Sequence, residues 1–340
     1  MTKILFTELK DWEKKYFQKK LTGFELEFFD ERLLGDNLPA DKSMDVICTF
    51  VGSEINKEVL DSFPNLKFIT SRSTGFDHID IKYAAEKKIP VSYVPNYGMN
   101  TVAEFAFGLI LMLSRKLYPA IRRLKEGSEE FNYEGLTGFD LKDKILGVIG
   151  TGNIGRNVIK MAKGFDMRII AYDAFPNKDF EGQLGFKYVE KLEDLLSQSD
   201  VITVHVPFLP STFRLINKDN IKFIKPGAIL VNTARGEIIE TEALVLALMN
   251  GPLAGAGMDV LEGEGDIKDE TAFLYYGHPK AEEIKSFLAN HVLMKMDNVL
   301  ITPHTAFNTK EAIIRILDTT IENIKGFTGG KLINLTPEIK

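Results

Sequence analysis

The sequence predicts an α/β fold with two domains, each built on a doubly wound parallel sheet. At 340 residues the chain is longer than one hydrophobic core usually serves, so two domains are expected. In both halves, short apolar runs alternate with amphipathic segments, which is typical of a parallel sheet with helices on its faces. A glycine-rich turn at 150–155 joins two of these apolar runs.

The apolar runs and the amphipathic segments assign the elements in order. In the first half we expect strands at 3–6, 45–51, 67–70 and 91–94, and helices near 9–20, 56–62 and 79–87. One long buried helix is expected from Thr101 to Lys125, because it is apolar around much of its circumference. In the second half we expect strands at 146–149, 167–172, 201–206, 228–232, 253–258 and 298–302, and helices at 156–164, 192–198, 241–249, near 280–289 and at 308–326.

Composition excludes several classes of protein. A net charge of −6 without a dense Lys/Arg stripe argues against a nucleic-acid partner. The longest apolar run, Phe105 to Leu113, is too short to span a bilayer, and the N-terminal segment becomes charged at Glu8, unlike a signal peptide. The single cysteine, Cys48, lies in an apolar run and is expected to be buried in a strand. It fits a reducing cytoplasm. No metal site is expected.

The glycine motif has a physical reason at each position. Gly150 permits the sharp turn out of a strand, Gly152 lets a pyrophosphate approach the backbone, and Gly155 lets the following helix pack closely on the sheet. The free N–H groups at the start of that helix then face the phosphates. A glycine-rich turn without a ligand is the alternative reading, and no Gly-Lys-Ser/Thr follows that would make a Walker-type phosphate loop.

Asp173 completes the dinucleotide-binding unit. It follows the second apolar run about 18 residues after Gly155, close to the expected ~20, where a carboxylate accepts hydrogen bonds from the ribose hydroxyls. A carboxylate there repels a 2′-phosphate, and neither Ala174 nor Phe175 can hold one. The sequence therefore predicts NAD rather than NADP as the cofactor.

Three loops that each follow an apolar strand carry one chemical residue apiece. Arg235 offers a guanidinium for two-point binding of a carboxylate, His304 an imidazole for proton transfer, and Glu264 a carboxylate that can stabilise the imidazolium. In a doubly wound sheet such strand ends converge on one crevice. The three residue types suit hydride transfer to a 2-keto acid, in which the nicotinamide supplies the hydride.

Each of these residues also has a structural interpretation. Arg235 could cap a helix or pair with Glu237, and Glu264 could belong to a solvated acidic face. That face would include Glu262, Glu282 and Glu283. His304 competes with four other histidines: His78, His205, His278 and His291. Of these, His205 ends a strand next to Pro207 and is expected to line the cofactor groove.

Seven motifs in order along the chain carry a resemblance. They are Arg72 to Asp80, Val94 to Tyr97 with Val102-Ala103-Glu104, Gly150 to Gly155, His205-Val206-Pro207, Asn232 to Gly236, Met258-Asp259-Val260 and Thr302-Pro303-His304. On these motifs the chain resembles the D-isomer-specific 2-hydroxyacid dehydrogenase family, and most of all its D-lactate dehydrogenase branch. The resemblance extends over nearly the whole chain.

The resemblance implies a Rossmann NAD domain at 99–302, inserted into a flavodoxin-like substrate domain formed by 1–98 and 303–340. It implies that Arg235 holds the substrate carboxylate, that His304 is the acid/base and that Glu264 supports it. Backbone N–H groups of Thr74 and Gly75, with Tyr97, would also meet the substrate. Implied cofactor contacts are Asn153, Ile154, Asp173, Val206, Pro207, Thr212, Thr233, Ala234, Arg235 and Asp259.

The implied activity is NADH-dependent reduction of a 2-keto acid, and pyruvate is the expected substrate. The resemblance also implies a cytoplasmic homodimer. Phe105, Gly52 and Asn308 depart from the family pattern, and the smaller residues could admit a substrate larger than pyruvate, such as 2-ketoisocaproate, phenylpyruvate or hydroxypyruvate. A glyoxylate/hydroxypyruvate or phosphoglycerate dehydrogenase is a further alternative. An NAD-sensing co-repressor, which would act as a binding module, is the alternative from another class.

Overall fold

The computed structural model describes residues 1–125, 131–265 and 280–337. The chain divides into two compact units, one formed by Met1–Tyr97 with Asn308–Lys340 and the other by Gly98–Phe307. The expected boundary, between 302 and 303, falls earlier than this division. The segment 303–307 is attached to the second unit because backbone N–H groups at 304, 305 and 306 donate to Asp259.

The first unit is a five-stranded parallel sheet with the order β2-β1-β3-β4-β5. Its strands are β1 Lys3–Thr7, β2 Glu25–Phe29, β3 Val46–Thr49, β4 Phe68–Ser71 and β5 Val91–Ser92. Its helices are α1 Asp11–Lys20, α2 Lys57–Ser62, α3 Ile81–Glu86 and, from the end of the chain, Lys310–Thr328. The edge strand β2 is absent from the sequence prediction, because no residue of Glu25–Phe29 is fully buried and the apolar signal is weak.

Both faces of this sheet are covered. On one face Leu5, Ile47 and Ile69 pack with the residues of α2 and α3, and on the other Ile4, Phe6 and Phe68 pack with Leu317, Ile321 and Ile324. The helix Lys310–Thr328 therefore returns the chain to the first unit, as expected. Cys48 is buried in β3, which raises the pKa of its thiol to about 12 and leaves it inert as a nucleophile.

The second unit is a seven-stranded parallel sheet with the order β12-β11-β10-β9-β6-β7-β8. Its strands are β6 Ile145–Ile149, β7 Arg168–Tyr172, β8 Lys187–Tyr188, β9 Val201–Val204, β10 Ala228–Asn232, β11 Leu253–Met258 and β12 Val299–Ile301. The chain runs outward from β6 in one direction and from β9 in the other. The topological switch point lies between these neighbours, where open α/β sheets bind ligands.

The helices of the second unit cover both faces of its sheet. They are α4 Met99–Ser114, α5 Leu117–Lys125, α6 Asn153–Gly164, α7 Lys178–Leu184, α8 Leu192–Gln198, α9 Thr241–Met249 and α10 Ala281–Met294; the C-terminal helix Lys310–Thr328 of the first unit is then α11. The short α7 and β8 are absent from the sequence prediction. The irregular excursion predicted for 262–295 lies partly outside the described residues, at 266–279.

The single helix predicted from Thr101 to Lys125 is wrong. The chain breaks between α4 and α5 at Lys116, whose φ is +50°. Pro119 explains the break, because in a continuous helix its ring would clash with the carbonyl of Arg115; in the first turn of a new helix it is tolerated. The prediction of burial holds for α4, whereas α5 has no buried residue.

No helix in the described part of the chain is both long enough and apolar enough to cross a membrane.

Candidate active site

The glycine turn between β6 and α6 is shaped by the absence of side chains. Gly150 has a φ of +94°, and a Cβ there would lie 2.7 Å from the carbonyl oxygen of His205. A Cβ at Gly155 would lie 2.0 Å from the carbonyl oxygen of Gly150. At Gly152, which precedes the first turn of α6, a Cβ would meet no protein atom within 4 Å and would project into open space. The turn thus leaves a cradle in front of the helix N-terminus.

Asp173 is fixed at the end of β7 by the same turn. One oxygen of its carboxylate accepts hydrogen bonds from the backbone N–H and the hydroxyl of Thr151, each at 2.7 Å. The other oxygen accepts from the N–H of Phe175 at 2.9 Å. The Thr151 hydroxyl also lies 2.8 Å from the hydroxyl of Tyr188. Carboxylate oxygens have two lone pairs each, so the second oxygen retains capacity for a ribose hydroxyl.

Two orphaned polar atoms lie after neighbouring strands β9 and β10. The Nδ1 of His205 and the hydroxyl of Thr233 are buried without a hydrogen-bond partner, although buried polar groups are normally paired. The Nε2 of His205 lies 2.8 Å from the Thr203 hydroxyl, and burial lowers the pKa of the imidazole to about 3, so the ring is neutral. The cradle, the Asp173 carboxylate and these two atoms fit a dinucleotide across the switch point.

Other predicted cofactor residues have local contacts of their own. Ile154 packs on the core, and the Asn153 side chain accepts a hydrogen bond from Arg156. The Thr212 hydroxyl accepts from the N–H of Leu209 at 2.8 Å and donates to the carbonyl of Pro207 at 2.7 Å. Thr212 therefore closes the loop that begins at Val206 and Pro207.

The three chemical residues follow three adjacent strands, β10, β11 and β12. His304 and Glu264 meet directly, with the Nδ1 of the imidazole 2.7 Å from a carboxylate oxygen. Both side chains remain partly exposed, at 30% and 29%. Because Nδ1 faces the carboxylate, Nε2 is the nitrogen available for a reacting group.

Asp259 holds the loop that carries His304. Its buried carboxylate accepts from the Thr302 hydroxyl at 2.5 Å and from the N–H groups of Thr305 and Ala306 at 2.9 and 2.8 Å. The carbonyl of Asp259 accepts from the N–H of His304, whose φ is +51°. Burial raises the pKa of Asp259, against these hydrogen bonds. The carbonyl and the carboxylate of Asp259 thus together fix the strained backbone at His304.

Arg235 has an extended backbone in the loop that follows β10, and its guanidinium donates to the carbonyl of Ala234 at 2.8 Å. The side chain of Asn232 holds the loop by donating to the carbonyl of Arg235 at 2.8 Å. A Cβ on the next residue, Gly236, would lie 1.9 Å from the carbonyl carbon of Leu261. The arginine loop and the loop of Glu264 therefore touch through their main chains.

Glu262 was counted among a possible solvated acidic face, and this is wrong. The side chain is buried and one oxygen accepts two bonds from the Arg214 guanidinium, at 3.0 and 2.9 Å. The other oxygen accepts from the Thr241 hydroxyl at 2.8 Å, and the Glu262 carbonyl accepts from Asn290 at 2.8 Å. Nothing in the spacing of the sequence identifies Arg214 as its partner.

The structure also brings Glu237 to this place, which sequence reasoning considered only as a partner for Arg235. Burial raises the pKa of the Glu237 carboxyl, and the nearby charge of Glu264 adds to the rise. The backbone N–H groups of Glu237 and Gly263 and the charge of Arg235 oppose it.

The expected substrate residues of the first unit lie after neighbouring strands β4 and β5. The Thr74 hydroxyl donates to the carbonyl of Val94 at 2.7 Å, the carbonyl of Gly75 accepts from Ser73 at 2.5 Å, and the carbonyl of Tyr97 accepts from Arg315 at 2.7 Å.

The space beside Gly52, one of the departures from the family pattern, is occupied by another side chain. A Cβ there would lie 2.1 Å from a carboxylate oxygen of Glu8, so the glutamate occupies the space that a side chain at position 52 would need. The same carboxylate accepts from the Ser53 hydroxyl at 2.7 Å.

Similarity to known proteins covers nearly the whole chain. A family model described as the NAD binding domain of D-isomer specific 2-hydroxyacid dehydrogenases matches residues 107–306. A 2-hydroxyacid dehydrogenase homolog of Haemophilus influenzae is 37% identical over 334 residues, which cover 97% of each chain. D-lactate dehydrogenase of Escherichia coli is 35% identical over 333 residues, 97% of this chain and 98% of the relative.

Among solved structures, D-lactate dehydrogenase from Aquifex aeolicus, complexed with NAD and lactic acid, is similar with a TM-score of 0.85. It is 33% identical, and the match covers 99% of this chain and 100% of that one.

Proposed function

Because the chain belongs to the D-isomer-specific 2-hydroxyacid dehydrogenase family, an NAD-dependent group of oxidoreductases that act on hydroxyacids, we propose that it reduces pyruvate to D-lactate and catalyses the reverse reaction. The observation that carries this proposal is the 2.7 Å contact between His304 and Glu264, next to the strand end of Arg235. An imidazole held by a carboxylate is suited to move the proton that this reaction requires.

The residues act as follows. Arg235 binds the substrate carboxylate through its planar guanidinium and so orients the carbonyl. When bound, NADH supplies a hydride to the carbonyl carbon. His304 gives the proton on Nε2 to the carbonyl oxygen during reduction and takes it back during oxidation, while Glu264 stabilises the imidazolium through Nδ1.

The cofactor is NAD, and we propose that the second unit binds it. Gly150, Gly152 and Gly155 would form the pyrophosphate cradle, and Asp173 would bind the ribose hydroxyls. The buried orphan atoms of His205 and Thr233 are suited to contact the cofactor as well. The remaining proposed contacts are Asn153, Ile154, Val206, Pro207, Thr212, Ala234, Arg235 and Asp259.

The substrate side chain is the finer part of the proposal. We propose that the first unit is the substrate domain, with Thr74 and Gly75 contacting the carboxylate and Tyr97 also contacting the substrate. Since the Glu8 carboxylate fills the space beside Gly52, its presence supports a small substrate over a bulky apolar one. A larger 2-keto acid stays the alternative, because Glu8 is a flexible side chain that could be displaced.

A panel assay tests this proposal. The purified chain is mixed with NADH or NADPH and with pyruvate, 2-ketoisocaproate, phenylpyruvate, hydroxypyruvate or glyoxylate, and absorbance at the nicotinamide band is followed. We expect the highest kcat/KM with pyruvate and NADH, and a chiral assay of the product should give the D isomer. A higher kcat/KM with a bulkier acid would replace pyruvate, and no turnover with any acid would overturn the activity.

We further propose that the protein is a cytoplasmic homodimer. Helix α5 exposes four large apolar side chains, at intervals that place them on one side of the helix: Leu117, Tyr118, Ile121 and Leu124. Such an apolar surface is typical of an interface with a second copy. Light scattering tests it: Ile121→Glu together with Leu124→Glu should convert a dimer to a monomer, whereas a wild-type monomer would contradict the proposal.

A further inference from the structure

The loop that follows β4 presents successive backbone N–H groups to its surroundings. In the described part of the chain, the N–H groups of Thr74, Gly75 and Phe76 donate to no protein atom. Thr74 is exposed, and the next two residues are half-buried, so a ligand can reach the loop. Open α/β sheets bind ligands at such carboxyl ends of strands, and successive N–H groups in a turn are suited to bind an anion.

Three hydrogen bonds fix the other side of this loop. The Val94 N–H donates to the carbonyl of Ser73 at 3.0 Å, and the Thr74 hydroxyl donates to the carbonyl of Val94 at 2.7 Å. The Ser73 hydroxyl donates to the carbonyl of Gly75 at 2.5 Å. Because the C=O and the N–H of one planar trans peptide point in opposite directions, this last bond turns the N–H of Phe76 away from Ser73.

A chain of donors runs from His78 to the same carbonyl. A hydroxyl has one proton, and Ser73 gives its proton to Gly75. The Ser71 hydroxyl, 2.6 Å from that of Ser73, must therefore be the donor to it. Since the proton of Ser71 is then used, the Nε2 of His78, 3.4 Å from the Ser71 hydroxyl, carries a proton. Both serines are buried, and donors that all point the same way polarise one another.

We propose that Ser73 is a positioning residue for the substrate carboxylate. It fixes the peptide between Gly75 and Phe76, so that the Phe76 N–H becomes a donor to that carboxylate. The two N–H groups before it, those of Thr74 and Gly75, are donors in the proposed function, on which this inference rests. Ser71 and His78 support Ser73 from behind the loop.

The effect should fall on binding rather than on the chemical step. Without the Ser73 hydroxyl, the peptide after Gly75 can rotate and turn its carbonyl oxygen towards the carboxylate, which would repel it. The substrate carboxylate keeps its charge throughout the reaction, so its donors bind the ground state and the transition state alike. Loss of such uniform binding raises KM and leaves kcat unchanged.

Steady-state kinetics of a matched pair of variants test the inference. Ser73→Ala should raise KM for pyruvate about tenfold, the effect of one hydrogen bond to a charged group, with kcat within about twofold of the wild type. The control is Ser92→Ala, on β5, which also removes a buried hydroxyl that donates to a carbonyl, that of Ile333 at 2.7 Å. Both variants should unfold at a lower urea concentration, but Ser92→Ala should keep the wild-type KM.

An equal rise of KM in the two variants would show a merely structural role and overturn the inference, as would an unchanged KM in Ser73→Ala. If Ser73→Ala does not fold, Ser71→Ala is measured instead. It keeps the bond from Ser73 to Gly75 but removes the donor behind it, so KM should rise about twofold to threefold. An unchanged KM in that variant would also overturn the inference.

NMR provides a readout that needs no turnover. At pH 8 the His78 ring is neutral, because burial lowers its pKa to about 4, and its ¹⁵N signals, assigned by their loss in His78→Gln, should show the proton on Nε2. A proton on Nδ1 would reverse the chain of donors and overturn the inference. In protein labelled with ¹⁵N-phenylalanine, the Phe76 amide should shift when NADH and oxamate, an unreactive pyruvate analogue, are added.

The Phe76 signal also separates this inference from the proposed function. Turnover of pyruvate with an unmoved Phe76 amide would overturn the inference alone. Absence of turnover with every keto acid would overturn the proposed function, and the amide would still decide the inference: a shift with oxamate would support a carboxylate site at this loop, whereas no shift would refute it.

Discussion

Two loops of the second unit reach their geometry by opposite means. The glycine turn 150–155 is shaped by missing side chains, since a Cβ at Gly150 or Gly155 would meet main-chain oxygen. The acidic loop 259–264 is shaped by its side chains: Asp259 and Glu262 are buried and bound to neighbouring segments, while Glu264 is left to contact His304. The first loop therefore offers space for a ligand, and the second offers charge.

The sharpest test of this contrast is the removal of the imidazole. His304→Ala should lower kcat by roughly 10²–10⁴-fold, because a positioned acid/base contributes about that much. The melting temperature should change little, since the ring is partly exposed. Stopped-flow single-turnover assays with saturating pyruvate measure the chemical step. Activity within a few-fold of the wild type would show that proton transfer uses another group.

A comparison of two glutamates on one loop should separate structure from chemistry. Glu262→Gln removes the charge from a buried pair and leaves Arg214 uncompensated, which should lower the free energy of unfolding by about 3 kcal/mol. Glu264→Gln should cost little stability but should reduce kcat and move the pH profile. Urea denaturation and steady-state kinetics of both variants test this. Equal losses of stability would contradict the division of roles.

Acid should weaken the fold around the glycine turn through His205. Its pKa is lowered to about 3, so between pH 6.5 and 3 the unfolded chain binds a proton that the folded chain excludes. Stability is therefore fully present above pH 6.5 and falls below it, by about 2 kcal/mol between pH 7 and 5. His205→Asn should show a smaller drop than the wild type in urea denaturation of the cofactor-free protein. An identical drop in the two proteins would refute the assignment.

The smallest expected effect lies at the open position of the glycine turn. Gly152→Ala should leave the fold intact, because the new methyl group meets no protein atom, but should weaken NADH binding by about tenfold, roughly 1.4 kcal/mol. Gly164→Ala, at the other end of α6, is the matched control and should bind normally. Fluorescence titration with NADH decides it; unchanged affinity in Gly152→Ala would place the pyrophosphate elsewhere.

The sequence predicted those parts of the fold and of the candidate site that depend on residues close together along the chain. Apolar runs bounded by turns predicted most strands of both sheets, and the fold class is confirmed by similarity to solved structures. The glycine spacing predicted the cradle because the lack of a Cβ is a local property of glycine that the sequence shows directly. The break at Lys116 was missed because hydrophobicity outweighed the signal of Pro119.

The role of Glu262 could not be predicted, because its partner is distant in the sequence. The Glu262 carboxylate is bound by Arg214, 48 positions away. This contact exists only in the folded chain. Local patterns identify which residues can do chemistry, whereas the fold decides which acidic group is structural and which is reactive.

The contact between Gly236 and Leu261 has a consequence for how such an enzyme can diversify. Main chain contacts main chain there, so the peptide backbone sets the spacing between the loop of Arg235 and the loop of Glu264. Replacement of nearby side chains should therefore leave this spacing unchanged. Substitutions elsewhere can then alter which acid is accepted while the reacting geometry stays constant. A methyl group at that one position would uncouple the two loops.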